Sequence, residues 1–134
     1  MMKYYVSVVL IAILAETMAI SDEFKNMLQT LHDTCVPAVG VSEDVLIRAR
    51  KGDFDDDDKL KCYMRCLFQQ LEGLDSDGKV KIDHLITHLP DEFRDALTPI
   101  IRKCGVLVGS NECETAFMFC KCSFDQDPSL FFLP

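Results

Sequence analysis

Several features are missing from this chain of 134 residues, and each absence excludes a class of structure or function. No segment shows the strict two-residue alternation of a half-buried strand, so a β-sheet fold is not expected. No internal repeat occurs, and no N-x-[ST] sequon, so N-glycosylation is not expected. Basic residues number 14 against 22 acidic residues, and the net charge of −8 argues against nucleic acid or anionic lipid as a partner.

The first 19 residues resemble a secretory leader. A basic residue near the start is followed by an apolar run from Tyr4 to Leu14, and small residues at Thr17 and Ala19 suit a signal peptidase. The run is shorter than the roughly 20 residues that span a bilayer. We therefore predict a signal peptide over 1–19, cleaved after Ala19, and one secreted domain over 20–134 with no membrane insertion after cleavage. The alternative is an uncleaved anchor helix.

Glycines divide the mature chain into segments that mostly carry apolar residues at helical spacing. Ser21 and Ser42 are expected to cap the first two helices, Pro90 to end the fourth and Pro99 to kink the fifth. The sixth is apolar on nearly all sides, which indicates a helix at the centre of the domain. The predicted helices cover about residues 24–35, 42–52, 60–71, 82–89, 93–104 and 111–124.

All seven cysteines lie in the mature chain, and helical phase limits how they pair. Cys62 and Cys66 share one face of a helix, but a regular helix does not turn their side chains together, so each is expected to bond to a different helix. Cys113 and Cys122 lie half a turn out of phase and should reach opposite ways. Six cysteines still allow fifteen pairings, so the spacing predicts inter-helix disulfides without choosing among them. Three such disulfides would let the domain keep a hollow centre.

Six of the cysteines follow a distinctive spacing, with intervals of 26, 3, 37, 8 and 8 residues. Together with "GDF", "KLKCYMRCL", "HLP", "PIIRKCG", "CETAF" and the terminal "FFLP", this spacing resembles the six-cysteine insect odorant-binding proteins, the pheromone and general odorant-binding family. The resemblance covers the whole mature chain. It implies an all-α, six-helix, disulfide-stapled fold that encloses a hydrophobic cavity. The implied disulfides are Cys35–Cys66, Cys62–Cys113 and Cys104–Cys122.

Cys120 departs from the family pattern. It lies seven residues from Cys113, on nearly the same stripe of the sixth helix. We expect a buried free thiol that packs as a small hydrophobic residue. An intermolecular disulfide and a shuffled pairing are the alternatives.

The stretch "EGLDSDGKVKIDHL", residues 72–85, resembles a calcium-binding EF-hand loop at its third, fifth and sixth positions. An EF-hand also needs an acidic first ligand and a bidentate glutamate at the twelfth position. Those places hold Gly73 and His84. The segment is therefore predicted to be a turn between the third and fourth helices, not a metal site.

Several other motifs resemble parts of catalytic or metal sites. "LHDTC", with His32 and Asp33, resembles the histidine–aspartate pair of secreted phospholipases A2, but the double cysteine and the glycine-rich calcium loop of that family are missing. We expect an exposed His32 and no enzyme. The cysteines lack the complementary Cys/His pair of a zinc finger. The acidic residues Asp55–Asp58 precede the third helix, where their negative charge is expected to interact favourably with the positive end of the helix dipole. His84 and His88 are expected to be solvated. No metal and no cofactor are predicted.

The resemblance implies a carrier that binds small hydrophobic odorants or pheromones and delivers them to an olfactory receptor in the sensillar lymph, as a monomer or weak homodimer. A non-olfactory carrier of lipids, hormones or amines is the alternative, and a phospholipase-like hydrolase the disfavoured one. Cavities of this kind have apolar, adaptable walls. The candidate ligand-binding residues on core-facing positions are Met27, Leu31, Met64, Phe68, Leu89, Leu97, Phe117 and Phe124.

The apolar C-terminus supplies a candidate lid, residues 123–134. Exposed, "SLFFLP" would be an aggregation-prone patch, so Phe131, Phe132 and Leu133 are expected to fold over the cavity. In some relatives the terminal carboxylate binds a tyrosine beside the second cysteine and an arginine near helix two. Tyr63 matches the tyrosine, whereas "VPAVGVSED" before helix two offers no arginine. Protonation of this latch at low pH is expected to weaken closure.

Overall fold

The computed structural model describes residues 21–134, and the predicted signal peptide lies outside the described residues. The described chain folds into helices and connecting turns, with a single isolated β-bridge between Leu74 and Val80. The prediction of an all-α fold is confirmed. None of the described helices is long and apolar enough to cross a membrane. The helices are α1 Asp22–Val39, α2 Glu43–Arg50, α3 Asp58–Gln70, α4 Ile82–Thr87, α5 Asp91–Cys104 and α6 Glu112–Gln126, followed by a 3-10 turn, Pro128–Leu130.

Side chains at the predicted positions cap the first helices. Ser21 Oγ accepts a hydrogen bond from the Phe24 amide at 3.2 Å, and Ser42 Oγ accepts one from Val45 at 3.3 Å. α1 continues past its predicted end, through Pro37, to a left-handed Gly40 with φ 78°. Glycine suits this position because other residues are strained there.

The acidic residues Asp55–Asp58 do more than interact with the helix dipole of α3. Asp57 is the N-cap of α3, where its carboxylate accepts hydrogen bonds from the amides of Lys59 and Leu60. Phe54, at the start of the run, turns inward and contacts other phenylalanine rings edge to face. The segment between α2 and α3 therefore carries its charges outward and one aromatic ring inward.

α6 lies at the centre of the domain, as its apolar sequence predicted. It packs along α3 and also contacts α5, and Thr115, Ala116, Phe117 and Cys120 are buried on it. Thr115 is the one buried polar residue of the described chain, and its hydroxyl accepts a hydrogen bond from the Gly109 amide at 2.9 Å. The core thus forms where α3 and α6 meet.

Three disulfides connect these helices. The pairs are the three that the family resemblance implies, and they join α1 to α3, α3 to α6 and α5 to α6. In a chain-entropy picture each contributes roughly 2–4 kcal/mol by restricting the unfolded state. Because covalent bonds hold the frame, its centre need not be filled completely. The bonded residues are Cys35–Cys66, Cys62–Cys113 and Cys104–Cys122.

Candidate ligand-binding site

A cavity of about 240 Å³ lies among α1, α3, α5, α6 and the C-terminal tail. This volume is below the roughly 300–1,000 Å³ of drug-sized sites, so the cavity suits a small ligand. Nearly all of its wall is apolar. Met27 and Leu71 line it and are each 37% exposed, so they mark where the wall reaches the surface. The candidate residues that the structure places in the wall are Met27, Leu31, Met64, Phe68, Leu89, Leu97, Phe131, Phe132 and Leu133.

Phe117 and Phe124 are not in the cavity wall, so their placement is a correction to the sequence expectation. Both rings contact Phe54, at centroid distances of 6.1 and 5.8 Å. The Phe117 ring also lies 5.0 Å from Lys61 Nζ, a cation–π contact. They belong to the face of α6 that the α2–α3 connection covers. A helix that is apolar on most sides does not reveal in its sequence which face meets a cavity.

The C-terminal tail forms one wall of the cavity. Residues 130–134 all line it, and Leu133 is only 7% exposed. Phe132 lies edge to face against Phe24, at 5.5 Å, and against Phe93, at 5.4 Å. Phe131 packs on the other side, against Phe54 at 5.7 Å. The tail leaves α6 only at Asp127, so residues 123–126 of the predicted lid are helical.

Two hydrogen bonds hold the tail. The Tyr63 hydroxyl donates to the main-chain oxygen of Pro134 at 2.5 Å, and Arg50 Nε donates to the Leu133 oxygen at 2.9 Å. Tyr63 is fully buried. Burial raises its pKa to about 12, and the carboxylate of Glu43 raises it further while the Arg50 charge opposes the shift. The hydroxyl therefore keeps its proton and acts as a donor at physiological pH. We call this pair of bonds the latch.

Arg50 is the functional residue that the sequence analysis missed. The segment before α2 contains no arginine, and the structure supplies the arginine from the last turn of α2. The available signal was the sequence "RAR" just before "KGDF", where Arg48 and Arg50 point different ways. Arg48 pairs with Asp55 and Asp53. Arg50 is left to reach the tail.

The motifs set aside as catalytic or metal sites have structural partners. Asp75 Oδ1 accepts hydrogen bonds from the amides of Asp77 and Lys79, at 2.8 and 3.0 Å, which closes a tight turn. The expectation of an exposed His32 was wrong, because its side chain is 18% exposed and Nε2 lies 2.8 Å from Glu43 Oε1. This contact links α1 to the start of α2.

His88 and Cys120 both reach the cavity. His88 is exposed, as expected, yet it also contributes to the wall. Cys120 is buried and makes no disulfide, and it too lines the cavity. Burial raises the pKa of its thiol to about 12, so the sulfur stays protonated.

Comparison with known proteins agrees with this arrangement of helices, disulfides and cavity. The model of the PBP/GOBP family, the pheromone-binding and general odorant-binding proteins, matches residues 17–126. The chain belongs to the PBP/GOBP family. Members of the family are secreted carriers and not enzymes, so the phospholipase alternative is excluded.

Among curated relatives of this PBP/GOBP chain, the B1 protein of Tenebrio molitor is 34% identical over 122 residues, which cover 89% of this chain and 92% of the relative. Odorant-binding protein 4 of Chrysopa pallens has a TM-score of 0.78 at 26% identity, covering 87% of this chain and 100% of that one. Odorant-binding protein 7 of Anopheles gambiae, solved with four disulfide bridges and an azo compound, has a TM-score of 0.76 at 30% identity, covering 84% and 93%.

Proposed function

We propose that the mature protein encloses a small hydrophobic odorant or pheromone in this cavity, carries it through the sensillar lymph and delivers it to an olfactory receptor. The observation that carries the proposal is the cavity wall. It is almost entirely apolar, and one side of it is a tail that is held by two hydrogen bonds to the helices and by aromatic packing. A ligand would be sheltered from water on a frame of three disulfides, and a short segment would control its entry and exit.

A solved relative supports binding inside this fold. The Anopheles gambiae protein, 30% identical, was solved in complex with an azo compound. The cavity described here is apolar, and two methionines, Met27 and Met64, line it with flexible side chains that adapt to ligand shape. Burial of apolar ligand surface contributes roughly 25 cal/mol per Å².

Displacement of N-phenyl-1-naphthylamine, a fluorescent apolar probe, tests the carrier function. We expect saturable binding to the oxidised protein lacking residues 1–19, and displacement by volatile alcohols, aldehydes or esters. Deletion of Leu130–Pro134 should weaken binding about tenfold or more, because one wall of the cavity is lost. Failure of the correctly folded protein to bind the probe would refute the carrier function.

The latch has its own test with a matched control. Arg50→Gln removes one of the two bonds to the tail, whereas Arg48→Gln removes an exposed pair with Asp55 two residues earlier on the same helix. We expect faster release of the probe from the Arg50 variant and unchanged release from the Arg48 variant. Equal rates in both would show that Arg50 does not restrain the tail.

Acid-triggered release is the further part of the proposal. The latch donors keep their protons in acid, so any response must come from an acceptor or from neighbouring charges. In a protein that ends at Pro134, the acceptor oxygen belongs to a carboxylate, and protonation would weaken its bond to Tyr63. Glu43, which acts on Tyr63, and His32, which contacts Glu43, are the other titratable groups nearby.

Probe affinity at pH 7, pH 5 and pH 3.5 tests this release. A terminal carboxyl group has a pKa of about 3.3–3.7 in model peptides, so we expect the latch to weaken mainly between pH 5 and pH 3.5, and the change should be smaller in a protein whose C-terminus is amidated. Unchanged affinity between these pH values would remove the acid response while leaving the carrier function intact.

A further inference from the structure

Few polar side chains line the cavity, and each of them leaves a hydrogen-bond acceptor and not a donor for a ligand. Among the described residues of the wall, only His88 and Ser123 carry a side-chain nitrogen or oxygen atom. Ser123 lies in α6 and His88 directly follows α4, and each contacts a main-chain carbonyl group. Their hydrogen bonds to those carbonyls decide what each can offer a ligand.

The Ser123 hydroxyl donates its proton to a hydrogen bond within α6. It donates to the carbonyl oxygen of Phe119, one turn earlier in α6, at 2.8 Å. A serine hydroxyl has one donor and two acceptor lone pairs. With the donor used, the oxygen atom remains available only as an acceptor.

The His88 ring also leaves an acceptor for a ligand. Its Nδ1 lies 2.8 Å from the carbonyl oxygen of His84. Because a carbonyl oxygen can only accept, Nδ1 must carry the proton, and in the neutral ring Nε2 is then an acceptor. The centroids of the His84 and His88 rings lie 4.2 Å apart with the ring planes tilted by 33°, and His84 Nε2 lies 3.2 Å from the Leu71 oxygen. This contact helps to hold the His88 ring in place.

The remaining side chains of the wall add little donor capacity. The oxygens of Leu133 and Pro134 already accept the latch hydrogen bonds. The Cys120 thiol is a weak donor. The side chains of the wall therefore present acceptors to a bound molecule and lack a strong donor.

We propose that the cavity selects ligands with a hydroxyl group, aliphatic or terpenoid alcohols, over isomeric ethers and esters. This inference rests on the proposed carrier function and names its ligand class. A hydroxyl can donate to Ser123 Oγ or to His88 Nε2. An ether or ester oxygen can only accept, and burying it without a donor costs free energy.

Octanol and heptyl methyl ether are isomers that differ in the hydroxyl donor, and together they form the test. Each displaces N-phenyl-1-naphthylamine from the wild-type protein, at a constant pH of 8. We expect the affinity ratio of alcohol to ether to exceed their ratio of alkane–water partition coefficients about tenfold. This comparison needs no variant and corrects for the stronger hydration of the alcohol.

Variants then assign the preference to residues. Ser123→Ala combined with His88→Phe should reduce the alcohol-to-ether ratio about tenfold. Ser123→Thr, which keeps the hydroxyl, should preserve the ratio. Ser110→Ala, on the exposed loop before α6, is the matched control and should also preserve it.

Three outcomes would overturn the inference. A wild-type ratio equal to the partition ratio would mean that no hydrogen bond forms, and a preference for the ether would mean that a tail amide such as that of Phe132 supplies a donor. An unchanged ratio in the double variant would remove both residues from the selection. In each case the probe still binds and the carrier function stands, whereas an absence of probe binding overturns the carrier function and this inference with it.

Discussion

Ionisation of the Tyr63 hydroxyl reports directly on the latch. The sequence contains no tryptophan and three tyrosines, of which Tyr4 and Tyr5 lie in the predicted signal peptide. In a protein that lacks residues 1–19, every tyrosine signal therefore comes from the latch residue. The perturbation we consider is alkaline pH, which ionises this one hydroxyl.

The expected magnitude follows from the pKa. Burial raises the pKa of Tyr63 from 10.0 to about 12. A pKa difference of one corresponds to about 1.4 kcal/mol, so the folded protein should lose about 3 kcal/mol of stability when the hydroxyl ionises. Because the pKa is raised in the folded state, the full stability is present below pH 10 and is lost as the pH rises through 12. The free energy of unfolding should fall over that interval.

The assay is a spectrophotometric titration of tyrosinate in the near ultraviolet, with denaturant unfolding at each pH. We expect a single transition near pH 12 in the native protein and near pH 10 in denaturant. Tyr63→Phe should remove the absorbance change and reduce the fall in stability, leaving the part that comes from other groups such as the buried Cys120 thiol, whose pKa is raised to about 12. Arg48→Gln, which does not touch the latch, should change neither the absorbance nor the fall in stability. A native transition near pH 10 would refute the argument, because it would mean that water reaches the hydroxyl and the tail does not cover it.

Three further predictions concern packing. Cys120 should not react with a thiol reagent in the native protein and should give one free thiol after unfolding without reductant; a count of zero would mean an intermolecular disulfide. Gly52→Ala should destabilise the protein by about 2 kcal/mol or more, because φ is 90° and the new methyl group would lie 2.4 Å from the Phe124 ring. Gly40→Ala, with φ 78° and open space, is its control and should cost about 1 kcal/mol in denaturant unfolding. Phe132→Ala should weaken probe binding about tenfold, whereas Phe124→Ala should lower stability and leave affinity nearly unchanged; equal effects on affinity would contradict the placement of the two rings.

The helices were predictable because their signals are local. Ser21 and Ser42 stand where caps are needed, and apolar spacing marks the buried face of each helix. The course of the chain between α2 and α3 was not predictable in the same way. Phe54 stands alone among aspartates, so no periodicity shows that its ring packs against α6.

The apolar nature of the site could be predicted from the sequence, but only some of its residues could. Composition and family resemblance indicated an apolar cavity with a C-terminal wall, and Tyr63 was recognisable from its place beside Cys62. The arginine of the latch was not, since Arg50 and Leu133 are brought together only by the fold. The same holds for Phe117 and Phe124, because helical phase gives directions relative to an axis and not the identity of the neighbour.

Because the tail forms one wall of the cavity, the disulfide frame and the shape of the binding space depend on different parts of the chain. The disulfide frame lies in the helices, whereas residues 130–134 contribute one side of the cavity without a disulfide to that frame. Substitutions in this short segment can reshape the binding space while the three disulfides stay as they are. The chemical range of the carrier can therefore diverge through residues 130–134 without a change in the cysteines that hold the helices together.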